Sequence, residues 1–523
     1  MSQITQLGQL NTAALAVPDL YVQIVPPQQQ LINGVPTNVL GIIGTAPWGP
    51  VNSPVTAGNE SQGTAVFGPR QNRLNDLITA VAVAQQQGAN NFRLVRVTDG
   101  TDTAATVTVQ ATCLTGTSKF TGSFGNGITL ALAAGTQAGT QKATIAAPGL
   151  AAEVFDNIGA GLAANALWVA IANAVNNGTT ALRGPSQIMV LTAGAGVAAP
   201  IPATFQLAAG TDGAAAITSA VMLGQDILPR KGMFALRNTG ASVAMLADVS
   251  DETTFPTQIV YGLAEGTYMI GTGPSGDTIS NAVTNKSTVG VDSFAMKVCH
   301  GDWVQWVDSV NNVNRILSPQ AFFAGELVAL APNQSSLNKQ MQGIVGTQKS
   351  ITNQPYSQAD LQTLAQAGID LITNPIPAGA VFGARIGHNS SSNPLTNGDN
   401  YTRMTNFLAS TLNSAMGKFI GRTQVATAIG VQGTASSDAI GTLGSFLDNV
   451  QAQGLIGVQG GPPAYSIEID QANNPAASVA LGNLTAAVQV QYQSIIEKFF
   501  INLQGGTNIV IQRVGVTQVP AAN

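Results

Sequence analysis

Charge is what this chain lacks. Twenty-one basic and 26 acidic residues are spread over 523 positions, 9% of the total, against about 25% in ordinary globular proteins. A compact monomer of this size exposes roughly 18,000 Å², or one ionic group per roughly 380 Å². The rest of that surface has to be Ala, Gly, Thr, Asn and Gln. A surface so poor in charge argues against high solubility as a free monomer.

The same composition excludes several functions. The net charge of −5 carries no basic excess for counterion-release binding, so no nucleic-acid partner is expected. With 45% apolar residues, disorder through charge and low hydropathy is excluded. The long uncharged stretch Gly184 to Thr211 is broken by Gly and Pro, so no membrane insertion is expected. The first basic residue is Arg70, which leaves no signal-peptide n-region. Cys113 and Cys299 stand far apart, which fits neither a disulfide framework nor a Cys-only metal site and suits a reducing compartment.

Length predicts three or four domains. Residues 1–17 are polar, without hydrophobic period, and read as a flexible arm. Tyr21-Val22-Gln23-Ile24-Val25 is a short β-prone run cut off by Pro26-Pro27, a strand with no evident partner in its own domain. Val39 to Gly44 predicts a buried strand. Leu74, Leu77, Ile78, Val81 and Ala82 predict one helix face, and Phe92 to Val97 a further strand. After Gly100 the chain turns rich in Thr, Ala and Gly. Alternating runs such as Ile128-Thr129-Leu130-Ala131-Leu132 predict a β-rich insertion, with one helix around Leu167, Ile171 and Val175.

From Thr211 strands alternate with helices, which implies a mainly parallel sheet. The expected strands are 234–236, 244–247, 268–270, 294–298 and 304–307, and the helices 256–264 and 275–283. In the last third, 361–367, 401–420 and the stretch around 440–450 are expected helices. Residues 465–470, 484–492 and 495–503 are expected strands. Ile509-Val510-Ile511, beyond Gly505-Gly506, is a second orphan β-prone segment.

Few residues suggest chemistry. Gly271 to Gly276 matches G-x-G-x-x-G after an expected strand, with Asp292 sixteen positions on. The match lies inside the βα region rather than at its first turn, so a plain strand-to-helix turn is the favoured reading. Cys299 and His300 are adjacent and would point to opposite faces of a strand. His388 is expected in a loop. Asp248 and Asp251 follow a strand, with helix capping the favoured role. The 401–420 stripe is expected to be core. No catalytic residue, cofactor or metal site is expected. A nucleotide-dependent oxidoreductase and another self-assembling shell protein are the alternatives.

Several segments in order resemble the contractile-tail sheath proteins of bacteriophages and related tail-like particles. They are Tyr21 to Val25, Gly34-Val35-Pro36-Thr37-Asn38-Val39 and Gly41 to Pro50. Gly125-Asn126-Gly127-Ile128 and Leu207 to Gly213 follow. The densest match is Gly301-Asp302-Trp303, then Arg315 to Pro319 and Ala324-Gly325, and Phe382-Gly383-Ala384-Arg385 comes last. The chain departs from the family with Pro18-Asp19-Leu20-Tyr21 at its opening, and with Arg403 as the one basic residue in Tyr401-Thr402-Arg403-Met404.

The resemblance implies an α/β and α+β multidomain subunit with no active site. Residues 21–100 and 336–523 would form a discontinuous α+β core that faces the tail tube. Residues 101–212 would be a β-rich outer insertion and 213–335 a subtilisin-like α/β domain, with 1–20 a flexible arm. Two extended arms, Tyr21, Val22, Gln23, Ile24, Val25 and Ile509, Val510, Ile511, would pair with neighbouring subunits. The implied partners are further copies of the chain, the tail tube protein, and baseplate and tail terminator proteins. The implied location is a virion tail assembled in the host cytoplasm.

Overall fold

The computed structural model describes residues 34–425 and 433–503, together with Ile32, Gly505 and the strand backbones Gln3–Thr5 and Tyr21–Gln23. At its centre is a six-stranded sheet. In spatial order the strands are Met296–Cys299, Tyr268–Thr272, Val243–Leu246, Leu40–Gly44, Phe92–Arg96 and Val55–Ala57. All neighbours run parallel except the edge strand Val55–Ala57. Leu40–Gly44 is buried at every position, as expected of a parallel strand covered on both faces.

Helices provide that cover. Leu77–Gln86 starts where the Asp76 carboxylate accepts the Thr79 amide at 2.9 Å. Leu74 lies before this cap and is exposed, so the expected helix face starts one turn later. Leu77–Gln86 packs on Gln320–Ala329, and Gly325 permits the approach: a Cβ there would stand 2.6 Å from the Ala84 Cα. Phe255–Glu265 carries Pro256 in its first turn and ends at Gly266 with φ +65°, the usual proline-in, glycine-out arrangement.

Four expected elements take another form. Residues 234–236 lie in a 3₁₀ turn, Gly232–Leu236. Val243–Leu246 already has a strand on either side, so this apolar run has no slot in the sheet and packs beside it instead. The helix expected over 275–283 starts later, at Ile279–Thr288, behind the Thr278 cap. Val304–Asp308 joins an antiparallel sheet with Val313–Leu317 and Ile344–Thr347, not the parallel one. Residues 495–503 form no strand.

The insertion folds around its own core. One antiparallel sheet orders Glu153–Ile158, Gln141–Ala146, Thr129–Ala134 and Ala203–Gln206, and another orders Met189–Ala193, Leu114–Thr121 and Ala104–Gln110. Helix Ala164–Asn177 buries Trp168, Ile171 and Val175 against them. The entry and exit strands bridge at Thr103 and Thr211. Buried Arg96 donates to the carbonyls of Gly49, Thr121 and Asp212, and Trp48 packs edge-on against Phe120 at 5.4 Å. The insertion is therefore tied to the body at its neck.

The expected boundaries for the remaining domains do not follow the sheet. Leu40–Gly44 hydrogen-bonds to Phe92–Arg96 on one side and Val243–Leu246 on the other. Residues 40–97 thus share a sheet and a core with the segment assigned to a separate α/β domain. That core also takes in Met341, Leu364, Leu371 and Ile386. The carboxyl-terminal unit begins near Asp399. It comprises helices Asp399–Met416 and Thr434–Ala452 and the hairpin Tyr465–Glu468 with Ala487–Val490. Met404, Leu408, Phe446, Leu447 and Val450 form its core, with Ile32 from the early chain; the first half of the 401–420 stripe is core as expected, whereas Ile420 is exposed.

A buried ionic cluster joins this unit to the body. Lys297, in the sheet's edge strand, meets Asp370 at 2.5 Å and Asp399 at 3.1 Å, and all three side chains are fully buried. Asp399 also accepts from Tyr268 Oη at 2.6 Å and Ser336 Oγ at 2.5 Å. Asp370 accepts the amides of Leu371, Ile386 and Gly387. Removing one partner of a buried pair leaves unpaired charge and costs about 3–5 kcal/mol. Lys297→Met is therefore expected to lower stability by about that amount, read by urea unfolding, whereas Lys286→Met, at a less enclosed lysine that bonds one carbonyl, costs less.

Candidate functional site

The residues that suggested chemistry are occupied by structural bonds. In Gly271 to Gly276, the Gly273 amide donates to Cys299 O at 2.9 Å and the Gly276 amide to Gly301 O at 2.8 Å. A phosphate cradle needs such amides free. A Cβ on Gly273 would also lie 3.5 Å from both an Asp277 and a Glu252 carboxylate oxygen, so two acids flank the place a phosphate would take. Burial, and then Asp277, push the Glu252 carboxyl up to about 7. Asp292 accepts from the Ser392 amide at 2.8 Å and its hydroxyl at 2.5 Å. The loop is a strand-to-helix turn.

Cys299 is fully buried, and burial drives its thiol well above the usual range. His300 is buried with neither ring nitrogen hydrogen-bonded, and burial pushes it down. Asp248 accepts the Asn75 amide at 3.1 Å. Asp251 caps a 3₁₀ turn by accepting from Thr253, N at 3.1 Å and Oγ1 at 2.6 Å. Arg403 does not reach outward: it donates to Ala331 O and Thr37 O, and burial pushes it down to about 10. Among the described residues no group of three or more His, Cys, Asp or Glu is placed to hold a metal ion.

Glu326 stands beside the Lys297 cluster. Its Oε2 is buried without a partner, and burial, in spite of Lys297, pushes its carboxyl up to about 8. A carboxyl raised on folding stabilises fully below its unfolded pKa and loses that contribution as pH rises through the folded one. Glu326→Gln should therefore stabilise the protein by roughly 2–4 kcal/mol at pH 8.5 and little near pH 4.5, measured by thermal unfolding at both values.

What the fold leaves open lies in the carboxyl-terminal unit. The hairpin pairs Tyr465 with Val490 and Glu468 with Ala487. It is a two-stranded sheet, and no other described strand lies along either outer edge. Beside it is an apolar groove of about 490 Å³, lined by Leu412, Met416, Phe419, Leu443, Ile469 and Val488. The chain after Gln493 is uncovered: Ile496, Phe499, Phe500, Ile501 and Leu503 are 74% to 91% exposed. The sequence predicts a strand over 495–503; among the described residues no strand pairs with it. At the other end, Tyr21–Gln23 forms a strand parallel to Gln3–Thr5, Tyr21 opposite Gln3. The amino-terminal β-prone run thus has a partner within the stretch expected to be a loose arm. Ile24, Val25, Ile509, Val510 and Ile511 lie outside the described residues.

Solved structures share this architecture over most of the chain. The sheath tail protein of Listeria innocua superposes with a TM-score of 0.59 at 13% identity, over 88% of this chain and 96% of its own. The fold is that of the contractile sheath proteins. The sheath tail protein of Desulfitobacterium hafniense gives 0.55 at 16% identity, over 86% and 93%. The sheath of an extracellular contractile injection system, PVC, in its contracted state, gives 0.54 at 11%, over 95% and 99%. No family model and no curated protein matches the sequence. Relative to this sheath fold, the open hairpin and the uncovered 495–503 segment are the surfaces to explain. Among the described residues no helix is long and apolar enough to cross a membrane.

Proposed function

We propose that the chain is the structural subunit of a contractile sheath. It polymerises helically around a tube and shortens to drive that tube through a cell envelope. The observation that carries this reading is the likeness to sheath subunits over most of the chain, together with an uncovered apolar segment and an open two-stranded sheet in one molecule. Heterologous contacts that do not close on themselves build such helical polymers.

The arms supply the link. In this reading a neighbour's segment adds to the edge of the Tyr465–Glu468 and Ala487–Val490 hairpin, a β-augmentation. The donor is residues 495–503, extended by the 509–511 run, and the amino-terminal strand 21–25 serves another neighbour. A five-residue strand spans about 17 Å, and its hydrogen bonds add about 1 kcal/mol each. Burying an exposed Ile, Phe or Leu gains about 1.5–3 kcal/mol. Five such side chains outweigh the ladder, so apolar burial is the larger driving term.

The partners in this proposal are further copies of the chain, a tail tube protein, and baseplate and tail terminator proteins, with no cofactor. The particle is a virion tail or a related tail-like particle, assembled in the host cytoplasm. The body around the parallel sheet is the subtilisin-like part of the subunit, and the 101–212 insertion faces outward.

Electron microscopy of the purified chain tests the reading. Hollow striated cylinders are expected from the full chain or on co-expression with its tube protein. A chain truncated after Gln493 should keep its folded body and yield monomers; ordered cylinders from the truncation would refute the arm's role. With so few charges, assembled cylinders should also withstand 1 M salt, where the screening length falls to about 3 Å. Dissociation in salt, followed by sedimentation, would point to ionic contacts instead.

A further inference from the structure

The carboxyl-terminal arm leaves the body through two fixed points. The first is Gln493. Its carbonyl accepts from Asn400 Nδ2 at 3.0 Å, its Oε1 accepts from Asn333 Nδ2 at 3.0 Å, and its Nε2 donates to Gly457 O at 2.9 Å. Beyond it, among the described residues, no backbone hydrogen bond holds 494–503. The second point is a single side-chain contact, His388 Nε2 to Glu497 Oε1 at 2.8 Å. No later described residue is tied to the body. Three residues lie between the two points, and the four steps from Gln493 to Glu497 span at most about 14 Å of chain.

His388 is a firm anchor. Its carbonyl accepts Lys297 Nζ at 3.0 Å. The preceding amide, Gly387, donates to Asp370 at 2.8 Å, so the buried ionic cluster holds this loop from both sides. Asn397 Nδ2 lies 3.4 Å from His388 Nδ1. As a donor there it leaves the ring proton on Nε2, facing the Glu497 carboxylate. The contact therefore needs no charge on the imidazole. Between the points the chain crosses a groove of about 600 Å³ that includes Leu337, Ile386 and Tyr401.

We propose that the His388–Glu497 contact is a latch that fixes the direction in which the arm leaves its own subunit, and that it thereby promotes growth of the polymer. The second half rests on the sheath reading; the first does not. A segment pinned at two points is presented in a narrow range of directions, and preorganisation lowers the ordering cost of docking. Released at Glu497, the arm samples a cone about Gln493, and each incoming subunit has to find its partner edge from a wider set.

The test separates the two halves. Leu395→Cys with Phe499→Cys, two residues past the latch, places spin labels on two exposed positions, 84% and 80% accessible, while the native Cys113 and Cys299 are buried. In the monomer a single narrow distance distribution is expected. Glu497→Ala should at least double its width, and Glu497→Gln, which keeps an acceptor, should broaden it less. The Glu497 side chain is about half exposed, so these variants keep the fold, checked by circular dichroism. In the unlabelled chain Glu497→Ala should raise the critical concentration for cylinders about two- to fivefold, the range for one solvent-facing pair. An unchanged width overturns the latch. A broadened width with an unchanged critical concentration overturns its role in growth. If the wild-type chain forms no cylinders even with a tube protein, the sheath reading fails while the distances still decide the latch.

Discussion

The ion cluster at Lys297 is the point through which the separate parts of this molecule are fixed to one another. One ammonium and two carboxylates are enclosed completely. Burial disfavours every one of these charges, and burial alone would push Lys297 down and Asp399 up. Both move the other way: the two carboxylates raise Lys297, and Lys297 with the Ser336 and Tyr268 hydroxyls lowers Asp399. Asp399 also opens the helix Asp399–Met416, where the positive end of the helix dipole favours a carboxylate. The excess negative charge is carried by three amides at Asp370. Geometry that demanding is satisfied in one arrangement only. It sets the edge strand of the main sheet, the 370–387 loops and the carboxyl-terminal helices in register.

That role explains how a chain so poor in charge uses the charges it has. Arg96 holds the neck of the insertion through three carbonyls. Arg315 bonds Asp308 and the carbonyls of Gln71 and Arg73. Arg403 joins Thr37 to Ala331. Each is a many-armed donor placed where segments distant in sequence cross. Guanidinium suits this, since its planar donors reach several carbonyls at once. Part of the small charge complement is thus drawn inward to fix junctions: Arg96, Lys297, Asp308, Arg315, Asp370, Asp399 and Arg403 are all buried.

Sequence made the local elements legible and left the long-range ones hidden. Leu40–Gly44, Phe92–Arg96 and the helix at 164–177 follow from apolar period and flanking Gly or Pro, because their burial is encoded in neighbouring residues. The sheet that joins the early chain to the middle is not legible, since nothing local to Leu40–Gly44 says that its neighbour is Val243–Leu246, some two hundred residues on. The 3₁₀ turn at 232–236 was misread for the same reason: strand propensity cannot report that the sheet is already full. The ordered motifs pointed to the sheath fold, which the solved structures bear out. The amino-terminal β-prone run, expected to lack a partner, pairs through Tyr21–Gln23 with Gln3–Thr5. The exposure of Phe499, Phe500 and Ile501 is not legible, because an apolar strand without a neighbour has the same pattern as one that has found it.

In the proposed sheath, a contracting lattice would ask two opposed things of one polypeptide, and the fold separates them. The body has to transmit force without deforming, so its parts need junctions with one low-energy geometry; buried, fully satisfied ion clusters provide that, where apolar packing alone tolerates repacking. The links between bodies have to bend while staying attached, so they need short strands joined by unstructured chain. Residues 494–503 meet this description, uncovered and free of backbone hydrogen bonds to their own body. The two regimes meet at one place. Lys297 holds the carbonyl of His388, and the ring of the same His388 holds Glu497. The buried cluster and the uncovered segment are thus joined through a single residue, His388.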